Sequence, residues 1–185
     1  MNFANIITVF RLLLTPIIIW LIFSSYYMLG LIFFVLSGLS DALDGFIAKQ
    51  FNQKTLLGSY LDPIADKALI VSSILALGYV GAIPPWLIIL IVSRDLAILG
   101  AVIISWLIES SLKIEPIISS KINTFLQIFY IGLILFNLST RESIDNLDSH
   151  ILPFFAILIA CSTLSSWFTY LMIWLKNMGI IGNMK

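Results

Sequence analysis

The sequence predicts an all-α fold, a bundle of six helices that each cross a membrane, with both termini in the cytoplasm. Of the 185 residues, 60% are hydrophobic and only 11% are charged, whereas soluble domains are about 45–50% apolar and about 25% charged. The apolar residues fall into six runs, each near the ~20 residues that a helix needs to cross a bilayer. Because no long linker or repeat interrupts them, residues 1–185 are expected to form a single membrane domain.

The six predicted helices follow one another with short polar connections. They cover residues 6–26, 28–50, 59–81, 86–108, 118–138 and 151–175. Pro16 falls inside the first run, which membrane helices tolerate. Pro63 falls within the first two turns of the third run, early enough in a helix for a proline to be tolerated. Pro84 and Pro85, followed by Trp86, predict a tight turn and an interfacial aromatic anchor before the fourth helix.

The distribution of basic residues predicts the orientation. If the N-terminus is inside, six lysines lie on the cytoplasmic side: Lys49, Lys54, Lys113, Lys121, Lys176 and Lys185. Arg141 is the only lysine or arginine in the connections on the opposite side, so the positive-inside rule favours this arrangement. The first run carries Arg11 and lacks a small-residue cleavage site, so we expect a structural helix and not a signal peptide. No Arg- and Ser-rich transit segment precedes it, which favours a bacterial inner (plasma) membrane.

Composition also excludes several classes of function. Ten basic residues balance ten acidic residues, so no bulk charge points to a nucleic-acid partner. A single cysteine, Cys161, and a single histidine, His150, exclude a disulfide framework and a cysteine- or histidine-rich metal site.

Four of the ten acidic residues gather at the ends of two neighbouring runs. Asp41 and Asp44 lie in the last third of the second run, and Asp62 and Asp66 in the first two turns of the third. The spacings i,i+3 and i,i+4 place each pair on one helix face. Carboxylates at the edge of hydrocarbon are costly without a partner, and all-oxygen ligand sets suit hard divalent cations such as Mg²⁺. The alternative is four solvated carboxylates in a cytoplasmic loop.

Cations held at the membrane interface suit a substrate with phosphates in water and acyl chains in lipid. A bound divalent ion can clamp a diphosphate and neutralise a leaving group. Gly45, Ala48 and Gly58 lie between the two aspartate pairs, and their small side chains let a bulky group approach the backbone. The same three residues are equally typical of close helix packing.

Together these residues form an extended motif. Asp41-x2-Asp44-Gly45-x2-Ala48-Lys49-x8-Gly58-x3-Asp62-x3-Asp66 resembles the signature of the CDP-alcohol phosphatidyltransferases, D-x2-D-G-x2-A-R-x8-G-x3-D-x3-D. The one departure is Lys49, which replaces a bidentate arginine with a point charge. The segment from Asn5 to Pro16 is similar to the first-helix pattern of this family. Ser93-Arg94-Asp95 and the segment from Ser120 to Thr124 resemble the corresponding segments of CMP-forming cardiolipin synthases.

The resemblance implies a six-helix fold, usually a homodimer, with a polar cavity open to the cytoplasm. It implies that Asp41, Asp44, Asp62 and Asp66 bind two divalent ions, Mg²⁺ or Mn²⁺, and that Asp66 is also the general base. It further implies a CDP site lined by Gly45, Ala48, Lys49 and Gly58. The implied reaction transfers a phosphatidyl group from CDP-diacylglycerol to an alcohol and releases CMP.

Three basic residues are candidates for holding the acceptor phosphate. Arg11 and Arg94 lie inside predicted spans, where arginines are usually site residues or members of ion pairs. Arg94 is followed by Asp95, but adjacent helix residues do not face each other, so the sequence predicts that these two do not simply pair. Lys121 begins the fifth helix, where it is either an acceptor ligand or a lysine snorkelling to the interface.

The motif does not identify the acceptor alcohol. Glycerol 3-phosphate carries a dianionic phosphate, and phosphatidylglycerophosphate synthases resembling this chain generally show a second basic residue two positions beyond Lys121. This chain has Asn123 there, which favours phosphatidylglycerol and hence cardiolipin synthesis, with glycerol 3-phosphate as the alternative. A small cation transporter or channel would spread its charges through the bilayer instead of gathering them at one depth. An inactive scaffold of the same fold is disfavoured because all four aspartates are present.

Overall fold

The computed structural model describes residues 3–50, 56–107, 118–140 and 150–177, and in these ranges all regular structure is helical. Within the helices, the description leaves out the side chains of residues 3–8, 41–50, 56–64, 66, 99, 101–107, 118 and 173–177. The helices are α1 (Phe3–Phe23), α2 (Tyr27–Gln50), α3 (Leu56–Tyr79), α4 (Pro85–Leu107), α5 (Ile118–Ser139) and α6 (Leu152–Asn177). The predicted all-α class is confirmed for this part of the chain, and each helix matches a predicted run to within a few residues.

Two tight turns end α1 and α3. At the first turn Ser25 adopts a φ of 63°, and the Tyr26 amide donates to the Leu21 carbonyl at 2.9 Å. At the second, Gly81 adopts a φ of 77°, and the Ala82 amide donates to the Leu77 carbonyl at 2.9 Å. A left-handed residue with this hydrogen bond is a common way to satisfy the last carbonyls of a helix.

The six helices pack as a closed ring. Going round it, the order is α1, α2, α5, α6, α4, α3 and back to α1, and α3 also touches α5 across the middle. Helix α1 therefore packs against both α2 and α3, the two helices that carry the aspartate motif.

Contacts near the helix ends fix the directions. The rings of Phe23 and Tyr79 pack edge to face with centroids 5.2 Å apart, so the ends of α1 and α3 lie together. A methyl group on Gly30 would lie 3.8 Å from atoms of both Ile22 and Leu135, so the start of α2 lies beside the ends of α1 and α5. Consequently α2 runs antiparallel to α1, α3 and α5. We call the end of the bundle where α2 finishes and α1, α3 and α5 begin the aspartate end.

The core is apolar and lies towards the other end of the bundle. It contains Ile18 and Ile22 of α1, Ile74 and Leu77 of α3, Leu87 and Ile91 of α4, and Ile131 and Leu135 of α5. Many large apolar side chains nevertheless face outward, including Leu13, Trp20, Ile89, Phe125 and Phe154. A helix that is apolar on all faces suits a lipid environment.

Two helical stretches are long and apolar enough to cross a membrane by length and composition, Ser119–Ser139 and Leu152–Met172. Three shorter apolar stretches lie in α1, α2 and α3: Val9–Phe23, Tyr27–Ser40 and Lys67–Tyr79.

Candidate active site

The motif residues lie on α2 and α3, at the aspartate end of the bundle. Asp41 and Asp44 lie near the end of α2, and Asp62 and Asp66 near the start of α3. Their side chains, and those of Gly45, Ala48, Lys49 and Gly58, lie outside the description. The helical backbone supports the predicted faces, because residues three and four apart lie above one another on a helix.

The backbone also sets the depth of the aspartates. Asp41 follows Gly30 by about 16 Å along α2, and Arg11 precedes Ile22 by about the same distance along α1. Asp66 precedes Tyr79 by about 20 Å along α3, and Arg11 precedes Phe23 by about 18 Å. The backbone of the two aspartate pairs therefore lies at about one depth, and α1 packs against both of their helices. The predicted meeting of the four carboxylates falls on side chains outside the described residues.

Arg11 occupies the same depth as the aspartates. Its side chain is only 2% exposed, and the hydroxyl of Thr15, one turn further along α1, donates to its backbone carbonyl at 3.0 Å. A buried guanidinium requires anionic or hydrogen-bonding partners. Lys121, in contrast, is exposed on α5, which suits either of its predicted roles.

A second polar group surrounds Arg94. We call Lys67, Arg94, Asp95, Ser120 and Ser166 the Arg94 cluster; it joins α3, α4, α5 and α6. The Nη2 atom of Arg94 donates to the Ser120 and Ser166 hydroxyls at 2.7 and 2.6 Å, and its Nη1 atom donates to Asp95 Oδ1 at 2.7 Å. The Lys67 ammonium donates to Asp95 Oδ2 at 2.7 Å. The guanidinium carbon also lies 5.9 Å from the centre of the Tyr170 ring, within the range of a cation–π contact.

The prediction that Arg94 and Asp95 do not pair is wrong. Adjacent Cβ atoms are separated by about 100° around a helix, but the long arginine side chain carries its guanidinium back over its neighbour. Both residues are almost completely buried, so little water competes for their charges. In this arrangement both terminal nitrogens of Arg94 have protein partners, which favours its structural role over acceptor-phosphate binding.

Sequence reasoning missed most of the Arg94 cluster and a pair of buried amides beside it. Asn123 and Gln127, here called the amide pair, lie one turn apart on α5 and are 0% and 1% exposed. Asn123 Oδ1 accepts a hydrogen bond of 2.9 Å from the Thr163 hydroxyl. The amide nitrogen and carbonyl oxygen of the Gln127 side chain have no hydrogen-bond partner among the described residues. The same is true of the amide nitrogen of Asn123. Polar residues within apolar spans, such as Gln127 and Lys67, were the available signal.

No group of three or more histidine, cysteine, aspartate or glutamate side chains comes together among those that the structure describes. The side chains of the four motif aspartates are not among these described side chains. Their fit to a metal ion therefore rests on the chemistry of their carboxylate oxygens. Four carboxylates on two helix faces fit Mg²⁺ or Mn²⁺, which prefer oxygen ligands.

Comparison with known proteins resolves the family. The family model described as CDP-alcohol phosphatidyltransferase matches residues 1–175. The chain belongs to this family. The resemblance predicted from the aspartate motif is therefore confirmed for nearly the whole length of the chain.

Within the CDP-alcohol phosphatidyltransferases, the relatives of this chain carry different names. A probable CMP-forming cardiolipin synthase of Drosophila melanogaster is 34% identical over 73% of this chain and 47% of its own length. A probable phosphatidylglycerophosphate synthase of Mycobacterium tuberculosis is 31% identical over 75% of this chain and 68% of its own length. A CDP-diacylglycerol–glycerol-3-phosphate 3-phosphatidyltransferase of Aquifex aeolicus is 33% identical over 67% of this chain and 70% of its own length. The match covers about half of the fly protein.

Proposed function

We propose that this protein is a phospholipid-synthesising enzyme that transfers a phosphatidyl group from CDP-diacylglycerol to phosphatidylglycerol, forming cardiolipin and releasing CMP. The observation that carries the proposal is the complete set of four motif aspartates, on helical backbone at one end of the bundle, in a chain that matches the family model over residues 1–175.

Asp41, Asp44, Asp62 and Asp66 would hold two divalent ions, Mg²⁺ or Mn²⁺. When bound, these ions neutralise the diphosphate and the departing CMP. Gly45, Ala48 and Gly58 leave room for the nucleotide against the helix backbone, and Lys49 supplies a positive charge to its phosphates.

Asp66 acts as the general base in this proposal. Its carboxylate takes the proton from the acceptor hydroxyl, and the oxygen that loses the proton bonds to the phosphorus that carries diacylglycerol. The bond from that phosphorus to the CMP oxygen breaks, and CMP leaves with the electron pair. A carboxylate beside cations stays ionised near neutral pH, as a base must.

The proposed setting is a bundle of six membrane spans with both termini in the cytoplasm, in a bacterial inner membrane. The apolar outward faces and the two long apolar stretches support a membrane location. The aspartate end then faces the cytoplasm, where the six lysines of the positive-inside prediction lie. A homodimer is part of the same proposal, by resemblance to the family.

The choice of phosphatidylglycerol as the acceptor rests on Asn123. Asn123 stands where a second basic residue would serve a dianionic phosphate, and it is completely buried and bonded to Thr163. The Aquifex aeolicus relative is named for glycerol 3-phosphate and the Mycobacterium tuberculosis relative for phosphatidylglycerophosphate, which supports glycerol 3-phosphate as the second candidate.

The test uses the purified full-length chain in detergent with CDP-diacylglycerol and one acceptor at a time, following CMP release. We expect release with phosphatidylglycerol, its loss on addition of EDTA, and its recovery with Mg²⁺ or Mn²⁺. Release with glycerol 3-phosphate alone would replace the first acceptor with the second. No CMP with either acceptor would reject the proposed function.

A further inference from the structure

The amide pair is an unusual feature of the interior. Buried polar groups are nearly always hydrogen-bonded, and each that is not requires an explanation. Gln127 is 1% exposed, and both its amide nitrogen and its carbonyl oxygen lack a partner among the described residues. One turn away on the same face of α5, the amide nitrogen of Asn123 also has no hydrogen-bond partner in the part of the chain that the structure describes.

The amide pair continues a polar stripe that starts at the aspartate end. Ser120, one turn before Asn123, accepts a hydrogen bond from Arg94. One turn beyond Gln127 the same face becomes apolar, with Tyr130, Ile131 and Ile134 all buried. The stripe is therefore closed at its inner end and continues towards the end where the motif lies.

The depth of the amide pair matches that of the aspartates. A methyl group on Gly132 would lie 4.0 Å from Leu31, which places these two residues side by side on the antiparallel helices α5 and α2. Asp41 follows Leu31 by about 15 Å, and Asn123 precedes Gly132 by about 14 Å. The backbone of α5 at Asn123 thus lies level with the backbone of α2 at Asp41.

We propose that Asn123 and Gln127 bind the hydroxyl groups of the acceptor's glycerol unit, and in particular the secondary hydroxyl that does not react. This inference rests on the proposed function and deepens it. Each amide offers a donor, and Gln127 also offers an acceptor, which is the combination that a hydroxyl group needs. Neither residue is charged, so the pair suits a polyol and not a phosphate.

The same glycerol unit occurs in both candidate acceptors, the headgroup of phosphatidylglycerol and free glycerol 3-phosphate. The amide pair therefore recognises a chemistry that the two acceptors share. Running the experiment with each acceptor separately shows which of the two molecules supplies the glycerol unit that the pair binds.

The experiment compares each acceptor with an analogue that keeps the reacting primary hydroxyl but lacks the secondary one. The analogues are phosphatidyl-1,3-propanediol and 3-hydroxypropyl phosphate. A site built to hydrogen-bond a hydroxyl rejects a substrate that lacks it, so we expect the wild type to prefer the natural acceptor by about tenfold or more in kcat/KM. In Gln127→Leu the preference should fall to about threefold or less, with the KM for CDP-diacylglycerol unchanged.

A stability measurement separates this role from simple packing. Replacing an unpartnered buried amide with an apolar side chain of similar size is neutral or stabilising. We therefore expect the Tm of Gln127→Leu without acceptor to equal or exceed that of the wild type. Gln127→Met provides a second apolar replacement of similar length should the leucine variant not fold. Ile131→Val, one turn along the same face, is the packing control and should keep the preference for the natural acceptor.

The outcomes are distinct. A preference that survives in both Gln127 variants, or a Tm that falls well below that of the wild type, would overturn the inference. If the wild type releases no CMP with any acceptor, the proposed function fails. The inference about the amide pair is then tested by ligand binding, measured as a shift in Tm. Glycerol 3-phosphate must then raise the Tm of the wild type more than 3-hydroxypropyl phosphate does, and the two must act equally on Gln127→Leu; any other pattern overturns the inference.

Discussion

The guanidinium of Arg94 and the carboxylate of Asp95, neighbours on α4, are joined by a hydrogen bond of 2.7 Å inside the bundle. The other oxygen of the same carboxylate lies 2.7 Å from the ammonium of Lys67 on α3. One buried carboxylate therefore pairs with two cations from two helices, and Arg94 extends the contact to α5 and α6 through Ser120 and Ser166. The cluster ties together four of the six helices.

Asp95→Ala should destabilise the protein far more than Lys67→Met. Removing Asp95 leaves the buried Arg94 without its counter-charge, and breaking a buried pair this way costs about 3–5 kcal/mol. Removing Lys67 leaves the Arg94–Asp95 pair intact, and the Lys67 side chain is 30% exposed, so we expect a loss of about 1 kcal/mol or less. Thermal and denaturant unfolding of the purified variants in detergent measures both. Equal losses would show that Asp95 does not serve chiefly to balance Arg94.

Ser166→Ala tests the contact between Arg94 and α6. The Ser166 hydroxyl is buried and accepts from Arg94 Nη2 at 2.6 Å, and a hydrogen bond to a charged group contributes about 1.5–3 kcal/mol. We expect a free-energy loss in this range from equilibrium unfolding. Ser165→Ala, the same change at the exposed neighbouring position, is the matched control and should have little effect. Indistinguishable stabilities of the two variants would contradict the prediction.

The sequence predicted the helices well because a long apolar run has few regular solutions. A helix satisfies the backbone amides and carbonyls of such a run within the run itself, in any apolar surroundings. The same simplicity explains the good boundaries at Gly81 and Pro85, where a left-handed turn and a residue without an amide proton end one helix and begin the next.

The site was predictable only where its residues are close in sequence. The aspartate motif spans two consecutive helices, so spacing alone revealed it. The Arg94 cluster joins Lys67, Ser120 and Ser166 from three other helices, and the ring order that brings them together depends on packing between helices distant in sequence. The pairing of Arg94 with Asp95 was wrongly excluded because an angular rule for Cβ positions ignores the reach of a long side chain.

Asp66→Asn tests the proposed base. Asparagine keeps the size of the side chain but does not accept the proton of the acceptor hydroxyl, so CMP release should fall by about 10²-fold or more. Binding of CDP-diacylglycerol, measured as a thermal shift with Mg²⁺ present, should largely survive. If Asp66→Asn instead raises the KM for CDP-diacylglycerol while kcat stays near that of the wild type, Asp66 serves only to bind metal and substrate and is not the base.

Lys49→Arg tests the single departure from the family motif. Arginine presents a planar fork that matches phosphate, whereas lysine presents one compact charge. If Lys49 contacts the diphosphate, Lys49→Arg should keep or lower the KM for CDP-diacylglycerol. Lys49→Met should raise that KM by about tenfold or more, since it removes a charge-assisted contact. Lys54→Met, five residues further along at a variable position in the x8 spacer of the motif, removes the same charge and should leave the KM unchanged. Equal effects of the two methionine variants would mean that Lys49 contributes only general surface charge.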